Sequence, residues 1–548
     1  MSSQTGPVKE KKQSVTVVSI IWPWVAIAGV IIAAAIIRGR LLSVPLERDE
    51  GEYAYIAQQM LNGVPPYVSA YSMKLPGIYA VYAMIIAVFG QTHTAVHLGL
   101  LVFNTATIFV IFLLTRKLVG SLAGVVAGFA YAILSLTHQV TGLWANAEHF
   151  VLLPSLLALM LIYNYGNKNK YFWLFTAGLL LGFAFIIKQH GIFFVMLGAL
   201  YLLYSSLRQR PIQWINTIVT QIVFAAGAII PFSIVCFLFW RNGTFDKFWY
   251  WTFTYAHRYT TSLTLSEGWE RFVAQIWYII KDTPLIWGFA AGGLLAFVFI
   301  RRYRQRAAFI IGLLAFSFLA VCPGFYFRGH YFIFILPSVA IFAGIALAAI
   351  DGLFQRMMPG FLRVIMTAAI GMGVFGYSVY SLREYLFYLS PEDVCRKVYI
   401  TNPFLESLRI AEFIRNNSDA NDTVAVVGSE PQIYFYSERR SATSYIYTYP
   451  LMEPTEAAGK MQQEMITQIE TAKPAFMVLI RVSTSWVTQP NSKQDLFKWF
   501  DPYVNHFYKT VGVVDIPLSG PANYYWNSQA EDRMPESNFW VMVFKRQE

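Results

Sequence analysis

The chain has 548 residues, of which 56% are apolar, 17% aromatic and only 13% charged. Soluble domains carry about 25% charged residues, so an ordinary soluble protein is excluded over most of this length. The net charge of +11 does not point to nucleic acid either. Its basic residues form short clusters between apolar runs, as the cytoplasmic loops of a polytopic membrane protein do. These are Lys9, Lys11 and Lys12; Arg116 and Lys117; Lys168 and Lys170; Arg208 and Arg210; and Arg301, Arg302, Arg304 and Arg306.

The first apolar run, 18–37, follows a basic tail (1–17) and is too long for the apolar stretch of a signal peptide. It reads as an uncleaved anchor that leaves the N-terminus in the cytoplasm. After it, Arg48 to Gly63 has Tyr53, Ile56, Ala57, Met60 and Leu61 at helical spacing, and Gly63 with Pro65 and Pro66 ends the pattern. That predicts an amphipathic helix. Asp49 and Glu52 stand three apart, as in a capping box, which makes Asp49 the expected N-cap. A carboxylate fixed at the membrane surface also suits a general base.

Leu75 to Gly90 is apolar but short, and carries Pro76 and Gly77. Counting it as a span would put Arg116, Lys117 and the arginines of 301–306 outside. Treating it as interfacial puts every basic cluster inside. Eleven spans are then expected, at 18–37, 96–115, 121–140, 149–166, 172–187, 191–207, 215–239, 284–300, 307–323, 331–350 and 362–382. The outer segments become 38–95, 141–148, 188–190, 240–283 and 324–330. They hold Asp49, Glu50, Glu52, Lys74, Glu148, Lys188, His190, His257, Arg258, Arg328 and His330, with His149 opening the next span, whereas Asp351 stands alone among the acidic residues of the cytoplasmic loops. Mixed charge gathered on one face points to a site.

Residues 391–548 have ordinary soluble composition and read as an outer α/β domain. Helices are expected at Pro403–Asn416 and Pro454–Thr471, and strands at Thr423–Gly428, Ala475–Ile480, Lys509–Val514 and Trp540–Phe544. Tyr434, Tyr436, Tyr445, Tyr447 and Tyr449 alternate, which fits either sugar stacking or strand packing. Gly428 after a strand lacks a nucleotide fingerprint. The three cysteines, Cys236, Cys322 and Cys395, show no metal-ligand spacing and no disulfide framework. The expected fold class is therefore a polytopic all-α membrane module (18–390) of about eleven helices, with interfacial helices in its first outer loop and a soluble C-terminal domain.

Several short stretches resemble one family. Asp49-Glu50 follows the first span, Tyr-Ala lies near the start of the amphipathic helix, and Lys74-Leu-Pro76 precedes an aromatic-rich apolar segment. Thr115 to Gly120 is similar to a basic inner turn, Trp144 to Glu148 to a second acidic position, Ala184 to Lys188 to a lysine at a span end, and Gly329 to Pro337 to a late aromatic-proline span. Together, over about residues 15–350, they resemble the GT-C integral membrane glycosyltransferases of the protein O-mannosyltransferase and aminoarabinose-transferase type. That resemblance implies transfer of a hexose or pentose, with inversion, from a polyprenyl-phosphate sugar donor to a lipid, glycan or protein acceptor. The place implied is the outer face of a bacterial cytoplasmic membrane.

The chemistry needs a carboxylate to take the acceptor's proton and cations to meet the charge growing on the leaving phosphate. Asp49 matches the family's first aspartate, with Glu50 beside it and Glu148 as second carboxylate. Lys74, Lys188, Arg258 and Arg328 are the candidates for the phosphate. Glu52, His149, His190, His330 and Tyr331 are further substrate contacts. Each has a plainer reading: Lys188 and Arg328 as snorkelling anchors, Glu148 as a helix N-terminal acid, and the histidines as interfacial residues. Asp49, Glu50, Glu148 and the histidines leave a divalent cation open. No cofactor is assigned, because Met73 stands where the aminoarabinose transferases carry an acidic residue and Leu75 replaces a proline. The rival reading is a transporter or lipid-linked-sugar flippase. Against it, no repeated halves are visible and the ionisable residues lie near one face. The Trp-Trp-Asp-Tyr-Gly signature of oligosaccharide-transferring enzymes is absent.

Overall fold

The computed structural model describes residues 17–164, 169–304 and 306–547; most of the basic tail, with Lys9, Lys11 and Lys12, and Lys168 lie outside them. In chain order the first nine helices are α1 (Val17–Arg40), α2 (Arg48–Leu61), α3 (Gly77–Phe89), α4 (His93–Leu118), α5 (Ser121–Leu134), α6 (Ala147–Asn164), α7 (Lys170–Ile187), α8 (Ile192–Leu207) and α9 (Trp214–Arg241).

Among the described residues, eight segments are long and apolar enough to cross a membrane: α1, α4, α6, α7, α8 with the turn before it, α9, Leu336–Met357 and Gly360–Ser381. The shorter apolar helices α5, Pro284–Phe299 and Ala307–Val321 fall where the remaining spans were expected. The chain is thus a polytopic helical membrane protein. Helix α3 has 13 residues and reaches about 20 Å, short of a hydrocarbon core of about 30 Å. It packs against α2 and α4 instead. Leu265–Ile280 turns 109° from Pro284–Phe299 and leaves Trp269 and Trp277 exposed.

Two spans have boundaries that differ from expectation by five residues or more. The span expected at 331–350 begins at Leu336 after a tight turn at Gly329–Phe334. Pro337 sits in its first turn, where its missing N–H leaves no bond unmade. Helix α5 stops at Leu134, and the buried guanidinium of Arg38 accounts for the chain beyond it. Arg38 donates to the carbonyls of Ser135 (2.8 Å) and Gly142 (2.9 Å) and to Asn104 Oδ1 (3.2 Å), fixing a non-helical turn beside α1. Elsewhere the bundle is drawn tight by small residues. A Cβ added to Gly178 of α7 would lie 2.2 Å from the Phe224 carbonyl, and one on Gly227 of α9 would lie 2.3 Å from that of Phe175, so the two backbones meet only because both are glycine.

The C-terminal part folds around a mixed sheet of β1 (Thr423–Val427), β2 (Arg440–Ser441), β3 (Phe476–Arg481), β4 (Tyr508–Asp515), β5 (Asn523–Trp526) and β6 (Trp540–Arg546), in the order β2-β1-β3-β6-β4-β5. Strand β1 runs parallel to β2 and β3, and the remaining pairs are antiparallel. All four expected strands are present. The tyrosine alternation is not a strand: Tyr434 and Tyr436 lie on a short helix, Gln432–Ser437, and Tyr445 and Tyr447 on the irregular segment after β2. Their hydroxyls explain why. Tyr434 accepts the N–H of Val426 (2.7 Å) and Tyr436 that of Leu46 (2.9 Å), so both rings are turned toward neighbouring backbone rather than a sheet face.

The bundle has two chemically different ends. At one, Arg116 lies over the Trp24 ring (4.8 Å), Lys117 over Tyr163 (5.8 Å), and Arg306 donates to the Leu118 carbonyl. At the other, the loop after α1, the turn before α6, the turn after α7, the 324–330 turn and the C-terminal sheet domain converge.

Candidate active site

The convergence centres on the first turn of α2. Its N-cap is Glu47, not Asp49: Glu47 Oε1 accepts from Glu50 N (3.2 Å) and Glu50 Oε2 accepts from Glu47 N (3.0 Å). This reciprocal box displaces the one expected between Asp49 and Glu52 by two residues. Asp49 is thereby released from capping and projects from the second helical position, where the helix N-terminus favours its charge.

Two lysine–carboxylate pairs stand near each other here. Lys74 Nζ lies 3.2 Å from Asp49 Oδ2 and donates to the Tyr53 hydroxyl at 3.0 Å. Lys188 donates to Glu148 Oε1, and its ammonium sits 4.5 Å from the centre of the Tyr331 ring. The second oxygen of Glu148 is buried without a partner. Burial alone would raise the Asp49 carboxyl, but Lys74 and Arg328, with a hydrogen bond from Tyr447 (2.9 Å), outweigh it and hold the group well below the usual carboxylate range. Lys74 is held above its ordinary value because Asp49 and Glu52 outweigh its desolvation. Burial and the nearby Lys188 push His330 far down, so it stays neutral at neutral pH. Arg328 is exposed; it donates to the Tyr259 hydroxyl (3.1 Å) and, unlike the two lysines, has no carboxylate partner among the described residues.

Other expected site residues have different surroundings. Glu50 has no accessible surface; besides the capping box it accepts from Ala145 N and lies 3.0 Å from His97 Nε2, so it ties α2 to α4 and to the 141–146 turn. Glu52 accepts from Ser72 and from Tyr79 (3.1 Å), and its burial raises its carboxyl. His190 Nδ1 contacts the Ala320 carbonyl (2.7 Å), and its ring packs on Tyr331 and Phe334. His149 is buried with both ring nitrogens unpartnered. Arg258 is exposed and faces Glu453, apart from the two pairs. Among the described residues, no three His, Cys, Asp or Glu side chains come together as a metal site. Two surface cavities lie away from the pairs. One of about 290 Å³ lies between His93 and Arg409, and one of about 250 Å³ between Phe245 and Trp249.

Sequence reasoning missed His97, Arg48 as an interdomain clamp, and Tyr447 as a partner of Asp49. Arg48 donates to Glu430 Oε1 (2.6 Å), the Ser429 carbonyl (2.6 Å), the Tyr449 hydroxyl (3.0 Å) and Asn402 Oδ1 (3.1 Å). A charged residue opening an amphipathic helix is an ordinary pattern, so nothing marked Arg48 beforehand.

Residues 73–240 match the sequence profile of a family described as dolichyl-phosphate-mannose-protein mannosyltransferases. No curated protein matches the sequence. Among solved structures, ArnT from Cupriavidus metallidurans superimposes with a TM-score of 0.57 in its apo state and 0.55 bound to undecaprenyl phosphate. Both are 14% identical, over 96% of this chain and 98% of that one. The archaeal oligosaccharyltransferase AglB from Archaeoglobus fulgidus, in complex with an inhibitory peptide and a dolichol-phosphate, gives 0.53 at 12% identity, over 96% of this chain and 76% of that one. These likenesses show a shared fold across nearly the whole chain.

Proposed function

We propose that this chain, a membrane protein of the GT-C fold carrying a mannosyltransferase-type sequence pattern over 73–240, is a glycosyltransferase. It moves a sugar from a polyprenyl-phosphate donor to an acceptor hydroxyl on the outer face, with inversion. The observation that carries this reading is the pair of lysine–carboxylate contacts, Lys74–Asp49 and Lys188–Glu148, beside a cation, Arg328, that has no carboxylate partner among the described residues. Two titratable carboxylates among three cations match a reaction that must accept a proton and disperse the charge of a departing phosphate.

In this mechanism the acceptor oxygen attacks the anomeric carbon, its proton passes to Asp49, and the carbon–oxygen bond to phosphate breaks with its electron pair leaving on the polyprenyl phosphate. Arg328 meets the phosphate first, because the two lysines are already neutralised. Lys74 is shared: as the donor phosphate draws it away, Asp49 loses a counter-charge that keeps it acidic, and its basicity climbs when a proton must be taken. Glu148, with an unpartnered oxygen, orients a sugar hydroxyl. Glu50 and Glu52 act by framing α2 rather than by touching substrate. The transporter reading is less well supported, because these groups lie at one end of the bundle and not midway along it.

The chain divides into a cytoplasmic tail (1–17), a transmembrane transferase module (18–390) and an extracytoplasmic domain (391–548), in a bacterial cytoplasmic membrane. The basic end supports that orientation. A Lys117→Cys variant is expected to resist a membrane-impermeant thiol reagent in intact cells, and rapid labelling would reverse the sidedness. For the reaction, purified protein supplied with polyprenyl-phosphate sugars is expected to lose transfer by about 10²–10⁴-fold on Asp49→Asn. Parental rates with every accepted donor would remove Asp49 as base.

A further inference from the structure

Helix α2 lies under the C-terminal domain along its length. A Cβ on Gly51 would fall 2.6 Å from Gln432 N, so helix and domain backbones meet here as closely as glycine allows. The Tyr55 hydroxyl accepts from Ser441 N (2.8 Å), Gln58 donates to the Phe435 carbonyl (3.3 Å), and Arg48 is enclosed by Ser429, Glu430, Tyr449 and Asn402. One contact in this interface reaches the proposed base: the Tyr447 hydroxyl donates to Asp49 Oδ1 at 2.9 Å, across 398 residues of sequence.

We infer that Tyr447 is a positioning residue for the reaction, and that the C-terminal domain completes the active site by supplying it. The inference rests on the reading of Asp49 as base and extends it to a domain to which the sequence assigned no chemistry. Its physical content is a division of labour between the two carboxylate oxygens. Oδ2 faces Lys74, and Oδ1 accepts from Tyr447. With both oxygens fixed, the carboxylate is locked about its terminal torsion, which is otherwise broad and roughly two-fold, and one lone pair on each oxygen stays in place for an incoming proton. The clamp at Arg48 holds the domain, and hence the phenol, in register with the first turn of α2. Tyr447 is itself buttressed by an edge contact with Tyr449, centroid to centroid 4.9 Å.

Phenylalanine at 447 keeps that ring packing and removes only the donor. Purified Tyr447→Phe in detergent or nanodiscs is expected to keep the parental melting temperature and donor KM and to lose about tenfold in kcat. A hydrogen bond to a carboxylate favours its charged form, so losing it also moves the acidic limb of the pH–rate profile upward. The other charged or titratable groups around Asp49 are unchanged by the substitution: Lys74, Arg328, His330, Lys188 and Tyr449, with Glu47, Glu52 and Tyr53 of its own helix. The comparison variant is Tyr445→Phe, whose hydroxyl serves Glu464 (2.8 Å) on the same segment, and it is expected to match the parent in rate and pH profile. A parental kcat and pH profile for Tyr447→Phe, with Asp49→Asn inactive, would overturn the inference and leave the base in place. An active Asp49→Asn would instead remove the base reading beneath it. A rate loss in Tyr447→Phe with no movement of the acidic limb, or one accompanied by a fallen melting temperature, would also overturn it, by assigning the tyrosine to structure alone.

Discussion

Arg48 and Asp49 are neighbours on one turn of α2, and each meets an opposite charge and a tyrosine of the C-terminal domain, yet the two pairs are built differently. Arg48 and Glu430 are sealed, with 9% and 0% of their side chains accessible. Both Glu430 oxygens are spent, one on Arg48 and one on the Ser485 hydroxyl (2.6 Å), and the guanidinium has three further acceptors. Asp49 and Lys74 keep 20% and 16% accessible, and their hydrogen-bonding capacity is not exhausted. A buried ion pair offsets its desolvation only when further hydrogen bonds meet its remaining lone pairs and protons; the Arg48 guanidinium donates four hydrogen bonds, and each Glu430 oxygen accepts one. A pair that retains access and unused valence is poor at that task and suited to chemistry. The comparison separates adjacent charges into one that holds the domain and one that works on a substrate.

The sharpest way to break this contrast is to remove one carboxylate from each pair. Asp49→Asn, expected to be inactive, should keep the parental fold and melting behaviour to within a small change. Glu430→Gln should do the reverse, because it leaves a buried guanidinium without its counter-charge, at a cost of roughly 3–5 kcal/mol. A large fall in the melting temperature, with transfer reduced only as far as folded protein is lost, is the expected result. Equal melting temperatures for the two variants would show that the sealed pair is not what fastens α2 to the domain.

Much of this arrangement was legible in the sequence, and the reasons are specific. The spans follow from apolar runs, and α2 from the spacing of Tyr53, Ile56, Ala57, Met60 and Leu61. Glu148 stood out because a charge at the mouth of an apolar helix is costly to keep, and Lys188 because Ala184 to Lys188 resembles a lysine at a span end. Asp49 was read as a cap because Asp is a strong N-cap residue and Glu is not. The cap fell to Glu47, since Glu50 could reach back to its N–H and its carboxyl could also meet His97 and Ala145. No local pattern encodes those last two contacts. The links from Arg48 to Glu430 and from Asp49 to Tyr447 span 382 and 398 residues, and the residues at the far ends sit in ordinary surroundings by composition. Charge placement was readable; the interface that gives each charge its role was not.

The smallest expected effect concerns acid. Asp49 in the folded protein titrates below its ordinary value of about 3.9, because Lys74, Arg328 and the Tyr447 hydroxyl outweigh its burial. Its charge therefore contributes stability that is fully present above the unfolded value and is lost as pH falls through the lower folded one. Asn at this position has no such term. The gap in melting temperature between parent and Asp49→Asn should then be flat from about pH 6 to 8 and narrow below about pH 4. Partial exposure of both partners keeps the gap small. At neutral pH the Glu430→Gln gap is expected to be much larger, so the two gaps separate the accessible pair from the sealed one by size as well as by function. A gap for Asp49→Asn that widens as the solution is acidified would contradict the sign, and with it the claim that the carboxylate is held ionised by its neighbours.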